Sequence, residues 1–267
     1  MNFRIQINRQ PAHHLVKPIA ALNSDITSLD LSDNHLGIKD TDEIAQALAG
    51  IPAWVTSLSL RWNRLARKSS DELVQILSAI PDTVINLSLR GNLLHNRKNG
   101  FLAVVLAAIP KGVRFLDLSL HNFSEMNANE LAQGFAALPP NVTSLNLGLT
   151  NLERLSVDSL RQLKNSLPHI RTIYLGYNEI SAMSPAQRCA LKEIFPNVKQ
   201  IIFLDSKGKE ELAGRDLRTN ANLARGLEFN TKVPSLADQC AFFTKNSTGI
   251  TDLSSLPLEM QERVNSF

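Results

Sequence analysis

The chain has 267 residues, with 28 Lys and Arg against 25 Asp and Glu, and the resulting charge of +3 at pH 7 argues against a nucleic-acid binder that works through one dominant positive field. At 43% apolar and 20% charged residues it is too hydrophobic for intrinsic disorder and carries enough material for a continuous core. Leu and Asn alone take 41 and 23 positions while aromatic residues make up only 6%, a bias that points to a repeated unit.

The first residues, Met1 to Ile7, alternate apolar and polar side chains and lack the apolar core of a signal peptide. No uncharged apolar run approaches the roughly 20 residues that span a bilayer, so no membrane span is expected. Cys189 and Cys240, the two cysteines, build no disulfide framework and have no metal-ligand spacing, which suits a reducing compartment. Residues 1–25 read as a divergent zeroth repeat: Phe3-Arg4-Ile5-Gln6-Ile7-Asn8 precedes an apolar segment broken by Pro18.

From Leu29 the pattern L-x-L-x-x-N-x-L runs to Leu36, returns at Leu58 to Leu65 and at Leu87 to Leu94, and continues with substitutions from Leu116, Leu145, Ile173 and Ile201. Its Asn position is filled by Asn34, Asn63, Asn92, His121, Thr150, Asn178 and Ser206, in steps of 29, 29, 29, 29, 28 and 28. Pro52, Pro81, Pro110, Pro139, Pro168 and Pro196 keep the same beat. Each alternating Leu-x-Leu predicts a short half-buried strand. Six residues after the Asn position stand Asp40, Ser69, Lys98, Asn127, Ser156 and Ser184, each three residues before Glu43, Glu72, Phe101, Glu130, Ser159 and Gln187. Four of these six pairs fit a capping box or its Asp/Asn relative, which predicts a helix start in those units. The periodic proline is expected to end each helix.

These markers resemble the leucine-rich repeat, and the 28–29-residue period with a full helix is similar to the ribonuclease-inhibitor-like subfamily. The resemblance covers residues 26–226 as seven repeats and leaves 227–267 as a C-terminal helical cap and tail. It implies an α/β fold, a right-handed leucine-rich-repeat solenoid or horseshoe with a parallel β-sheet on the concave face and α-helices on the convex face. Strands about 4.8 Å apart and helices about 8–10 Å apart would bend such a stack toward its strands. In this family the Asn column points inward to backbone groups, so Asn34, Asn63, Asn92 and Asn178 are read as a structural ladder, weakened at His121 and Thr150.

Binding function belongs on the concave face, where outward side chains are mostly small. The large exceptions are the candidate contacts: Arg61 and Arg90 in one column of adjacent strands, with Asp30 and Asp117 flanking them, and Trp62, Phe115, Tyr174 and Tyr177. Like charges facing each other on neighbouring strands need compensation, from the aspartates or from an acidic partner.

Enzymatic constellations are weak. The six histidines are scattered, no G-x-S-x-G, H-E-x-x-H or P-loop pattern occurs, and Cys189 is read as a small buried residue of a repeat helix. No catalytic residue, metal or cofactor is expected. Leu256-Pro257-Leu258-Glu259 resembles the opening of an F-box, read here as a capping helix because the remaining chain is too short for one. The phrasing Ala136-Ala137-Leu138-Pro139 to Asn141-Val142-Thr143-Ser144-Leu145 resembles leucine-rich-repeat effectors that intracellular bacterial pathogens inject through a type IV secretion system. What this implies is a monomeric, non-catalytic module, secreted into the host cytoplasm, that binds a host protein and no nucleic acid. A GTPase-activating protein, known in the same subfamily, and a ubiquitin-ligase adaptor are the alternatives.

Overall fold

In the computed structural model, residues 1–97 and 100–208 are described below. Eight strands form one parallel sheet in strict sequence order: β1 (Asn2–Arg4), β2 (Ser28–Asp30), β3 (Ser57–Ser59), β4 (Asn86–Ser88), β5 (Phe115–Asp117), β6 (Ser144–Asn146), β7 (Thr172–Gly176) and β8 (Gln200–Leu204). The register places Leu29 beside Leu58, then Leu87, Leu116, Leu145, Ile173 and Ile201. All but the last are buried, and so is the parallel column Leu31, Leu60, Leu89, Leu118, Leu147 and Leu175. Side chains between them must face the other side of the sheet, because successive residues of a strand alternate.

Each of β1 to β7 is followed by a helix packed behind the sheet: α1 (Val16–Ala20), α2 (Thr41–Ala49), α3 (Ser70–Ser78), α4 (Phe101–Ala107), α5 (Ala128–Ala136) and α6 (Val157–Gln162), with α7 (Tyr177–Ala182) and α8 (Pro185–Lys192) both following β7. This is the right-handed α/β solenoid of leucine-rich repeats, with sheet and helices on opposite faces. Helix starts are set by side chains that satisfy otherwise orphaned amides. Ser69 and Ser184 form full capping boxes with Glu72 and Gln187, Asp40 accepts from Glu43 N, Asn127 from Asn129 N and Ser156 from Ser159 N. In the fourth unit the start falls on Gly100, in left-handed backbone at φ 75°, and no side chain caps the helix.

The prolines act one step later than expected. Helices α2, α3 and α5 stop three residues before Pro52, Pro81 and Pro139, and each proline carbonyl accepts from the valine three residues on, at 3.0 Å in all three. The proline therefore opens the turn that feeds the next strand. Residues 1–25 supply β1, a 3-10 turn at Ala12–Leu15 and α1; Ile5, Ile7, Leu15 and Ile19 join the core, whereas Phe3 is exposed at the open edge. The expected C-terminal cap at 227–267, with Cys240 and the segment from Leu256, lies outside the described residues.

Candidate functional site

Between each strand and its helix the chain makes a narrow loop that must bury its own amides. Asn34, Asn63 and Asn92 are fully buried and do this across repeats. Asn63 Oδ1 accepts from Asn34 N at 2.9 Å and Leu36 N at 3.3 Å, while its Nδ2 donates to Leu31 O at 2.9 Å. Asn92 does the same for Asn63 and Leu65, and Asn34 for Ile7 N. The residues flanking each ladder Asn adopt left-handed backbone, Asp33 and His35, Trp62 and Arg64, Gly91 and Leu93, with φ between 54° and 67°. Such backbone is unfavourable for a side chain like Trp or Leu and persists because the ladder holds it.

Asn178 departs from the expected ladder. Neither Tyr177 nor Glu179 is left-handed, so the chain winds directly into α7 and turns Asn178 out to solvent. Glu179 takes over: its carboxylate accepts from Leu149 N at 2.6 Å and Asn151 N at 2.5 Å. Burial pushes its pKa up, against the pull of those two amides. His121, fully buried, directs Nδ1 to Leu118 O at 2.8 Å, which makes Nδ1 the donor and leaves Nε2 as a lone pair with no partner among the described residues. Burial lowers its pKa to about 4. Beside it, His95 Nδ1 accepts from Asn122 N at 3.1 Å, and burial lowers that imidazole too, against Glu125.

Arg4 of β1 and the loops that leave β2, β3 and β4 line a groove of about 450 Å³. Arg4, Arg61 and Arg64 supply its cations, and Trp62 and Leu93 its apolar surface. Trp62 is 48% exposed and Leu93 41%. The indole lies over Gly91, where a Cβ would meet its ring at 2.7 Å, so glycine at that left-handed position is what lets the ring settle. Ser32 and Asp33 complete the wall. Arg61 donates to Ser32 Oγ at 3.3 Å and lies 3.8 Å from Asp30 Oδ2, which Arg4 approaches at the same distance. Arg90, next in the column, donates to Ser119 Oγ at 3.2 Å.

Asp117 does not join these contacts. It is buried, with Oδ1 accepting from Ser119 N at 2.9 Å and Ser119 Oγ at 2.6 Å and Oδ2 from Ser88 Oγ at 2.8 Å. Its carboxylate organises the strand end instead of facing a partner, as Asp30 does through Ser32 N. Phe115 and Tyr174, two strands apart, meet edge to face at 5.4 Å and form a second, separate cluster on the same face. Tyr177 starts α7 and packs edge-on to Phe203 at 6.3 Å. Sequence reasoning thus found Arg61 and Trp62 but missed Arg4, Arg64 and Leu93, whose repeat positions elsewhere carry residues of other chemistry. It also placed Cys189 in the interior, whereas the thiol is exposed on α8.

Among the described residues no cluster of three or more His, Cys, Asp or Glu is arranged to hold a metal, and no helix is long and apolar enough to cross a membrane.

A buried leucine column, an inward Asn ladder and a helix after each of the parallel strands β1 to β7 define a leucine-rich repeat protein, and the chain belongs to that family. The family profile described as a Leucine Rich repeat matches residues 22–49. The chain is similar to the leucine-rich repeat-containing protein LegL7 from Legionella pneumophila: 34% identity over 86% of this chain and 82% of that one, with a TM-score of 0.68. A structure of the Rad7 and Elc1 complex in yeast aligns more loosely, at 17% identity and a TM-score of 0.41 over 72% of this chain and 44% of that one. No curated protein matches the chain. The fold is that of a protein-interaction scaffold, a type that typically carries no catalytic centre.

Proposed function

We propose that this chain is a non-catalytic recognition module of a bacterial effector that acts in the host cytoplasm and binds a host protein through its concave face. The observation that carries the reading is the groove at the strand ends, lined by the loops after β2, β3 and β4, where Trp62 and Leu93 stand half-exposed among Arg4, Arg61 and Arg64. Aromatic and arginine side chains in one concave site are the residue types that dominate protein interfaces. The chemistry fits a partner segment that offers an apolar side chain flanked by carboxylates. Phe115 and Tyr174 extend the surface along the same face, two and four strands from β3. The likeness to the Legionella pneumophila protein LegL7 supports a bacterial, pathogen-associated setting.

The test is affinity capture from host-cell lysate with the full chain and with a variant carrying alanine at Arg61, Trp62, Arg90 and Tyr174. Specific partners should be lost from the variant; if every partner is retained, the concave reading is wrong. GTP hydrolysis by captured small GTPases, measured in the same experiment, would show whether the module acts on one of them.

A further inference from the structure

Four units in succession enter their strands through the same turn. Pro52, Pro81, Pro110 and Pro139 each accept through the carbonyl from the valine three residues on, at 3.0 or 3.1 Å. The residue that precedes each strand then extends the ladder past the end of the sheet. Ile85 N donates to Thr56 O at 2.8 Å, Arg114 N to Ile85 O at 2.8 Å and Thr143 N to Arg114 O at 3.0 Å. Arg171 N donates to Thr143 O at 2.7 Å and Lys199 N to Arg171 O at 2.8 Å. These residues therefore stand side by side in one row along the strand-entry edge. Neighbouring turns abut, since a Cβ on Gly112 would collide with Asp82 O.

The row divides into two chemistries. Before β3 and β4 it exposes large apolar side chains, Trp54 at 42% and Ile85 at 43%. Before β5, β7 and β8 it exposes Lys111, Arg114, Arg171 and Lys199. The turns 110–114, 139–143, 168–171 and 196–199 contain no Asp or Glu, whereas Asp25 and Asp82 belong to the turns before β2 and β4. Arg114 Nη1 donates to Lys111 O and Asn141 O, both at 3.4 Å, and Arg171 Nη1 to Asn197 O at 3.2 Å. Carbonyls thus hold the two guanidiniums along the edge and leave their charge unneutralised. Among the described residues no carboxylate forms an ion pair with any of the four cations.

A single-sign row selects an anionic surface, and an exposed indole beside it selects an apolar one. Nucleic acid meets the cations through its phosphates but offers Trp54 and Ile85 no apolar layer. A membrane interface offers both, with anionic headgroups for Lys and Arg and the acyl boundary for Trp and Ile.

We propose that the strand-entry edge is a peripheral docking surface for an anionic lipid bilayer, with Lys111, Arg114, Arg171 and Lys199 on the headgroups and Trp54 and Ile85 at the apolar boundary. The groove at Arg61 and Trp62 lies at the other end of the strands, about 17 Å away for five extended residues. A protein partner can therefore be held there while the entry edge faces the membrane.

The test is sedimentation of the full chain with vesicles of phosphatidylcholine, with and without phosphatidylserine. The chain should sediment with the anionic vesicles only. Lys111→Gln with Lys199→Gln alters two exposed ends that hold no turn together, and at about fivefold per charge it should weaken partition about twenty-fivefold. In a Trp62→Phe chain the anionic vesicles should shift Trp54 emission to shorter wavelength, and in a Trp54→Phe chain Trp62 emission should stay unchanged. Absence of binding, partition unaffected by the double substitution, or an unshifted Trp54 overturns the proposal. Binding to duplex DNA as tight as to the anionic vesicles, at equal phosphate, would assign the row to nucleic acid instead. No protein partner takes part, so the result stands apart from that of lysate capture.

Discussion

At the scale of single residues, the loops are held by side chains that replace backbone partners, and their worth follows from how many buried amides each satisfies. Asn63→Ala leaves Asn34 N, Leu36 N and Leu31 O without their partner. At about 1 kcal/mol for each buried hydrogen bond, urea unfolding should show a loss of about 3 kcal/mol. Asn178→Ala, at a solvent-exposed copy of the same motif, should fall within about 0.5 kcal/mol of the parent. The two positions are indistinguishable by spacing, since Leu175, Asn178 and Ile180 keep the motif intact. What differs is the backbone between them, which was not legible because the choice between left-handed loop and α7 depends on the whole turn.

The histidines carry a pH dependence of defined sign. His121 and His95 are held below their ordinary pKa by burial, so the unfolded chain binds protons that the folded chain refuses. Their contribution is fully present above about pH 6.5 and is lost as pH falls; for His121 the loss runs down toward pH 4 with a slope approaching 1.4 kcal/mol per pH unit. Thermal unfolding from pH 7.5 to 4.5 should show this decline, and His121→Asn, which restores the ladder residue, should flatten it. An equal decline in both proteins would mean that the acid response arises elsewhere.

At the scale of elements, the helix starts were the most legible part of the fold, because a cap is a local device. Ser69 with Glu72 and Ser184 with Gln187 act as their spacing implies, and Ser69→Ala should cost about 1 kcal/mol in chemical denaturation. The fourth helix shows the limit of that rule: where spacing offered Lys98, the structure starts at Gly100 with no side-chain cap. The proline beat was legible as a ruler and misread as a stop, because its carbonyl serves the next turn and the helix has already ended. Side-chain exposure was least legible. Asp117 and Asp30 share a strand position with Ser59, yet their carboxylates fold down onto the serines two residues later, an arrangement visible in sequence only as Asp-x-Ser. Cys189 sits on the solvent side of α8, so native protein should react with a thiol reagent at this residue without denaturant.

At the scale of the molecule, the repeat period fixes which side chains become neighbours. Residues 29 apart are stacked on adjacent strands, so Arg61 and Arg90 had to share a column and Trp62 had to lie over Gly91. That is why half of the groove is legible in the spacing of the repeats alone. The other half is Arg4 from the first strand, together with Arg64 and Leu93, whose outward direction follows from the left-handed backbone of their loops. A near-zero net charge thus coexists with a local concentration of arginine around an exposed indole.

The central claim, that this groove is where a partner binds, is tested most directly by the dissociation constant of a captured partner for the parent and for Trp62→Ala. Truncating an interface anchor removes at least about 1.4 kcal/mol, so the variant should bind about tenfold or more weakly while keeping its unfolding midpoint. Equal dissociation constants for a folded Trp62→Ala and the parent would contradict the account.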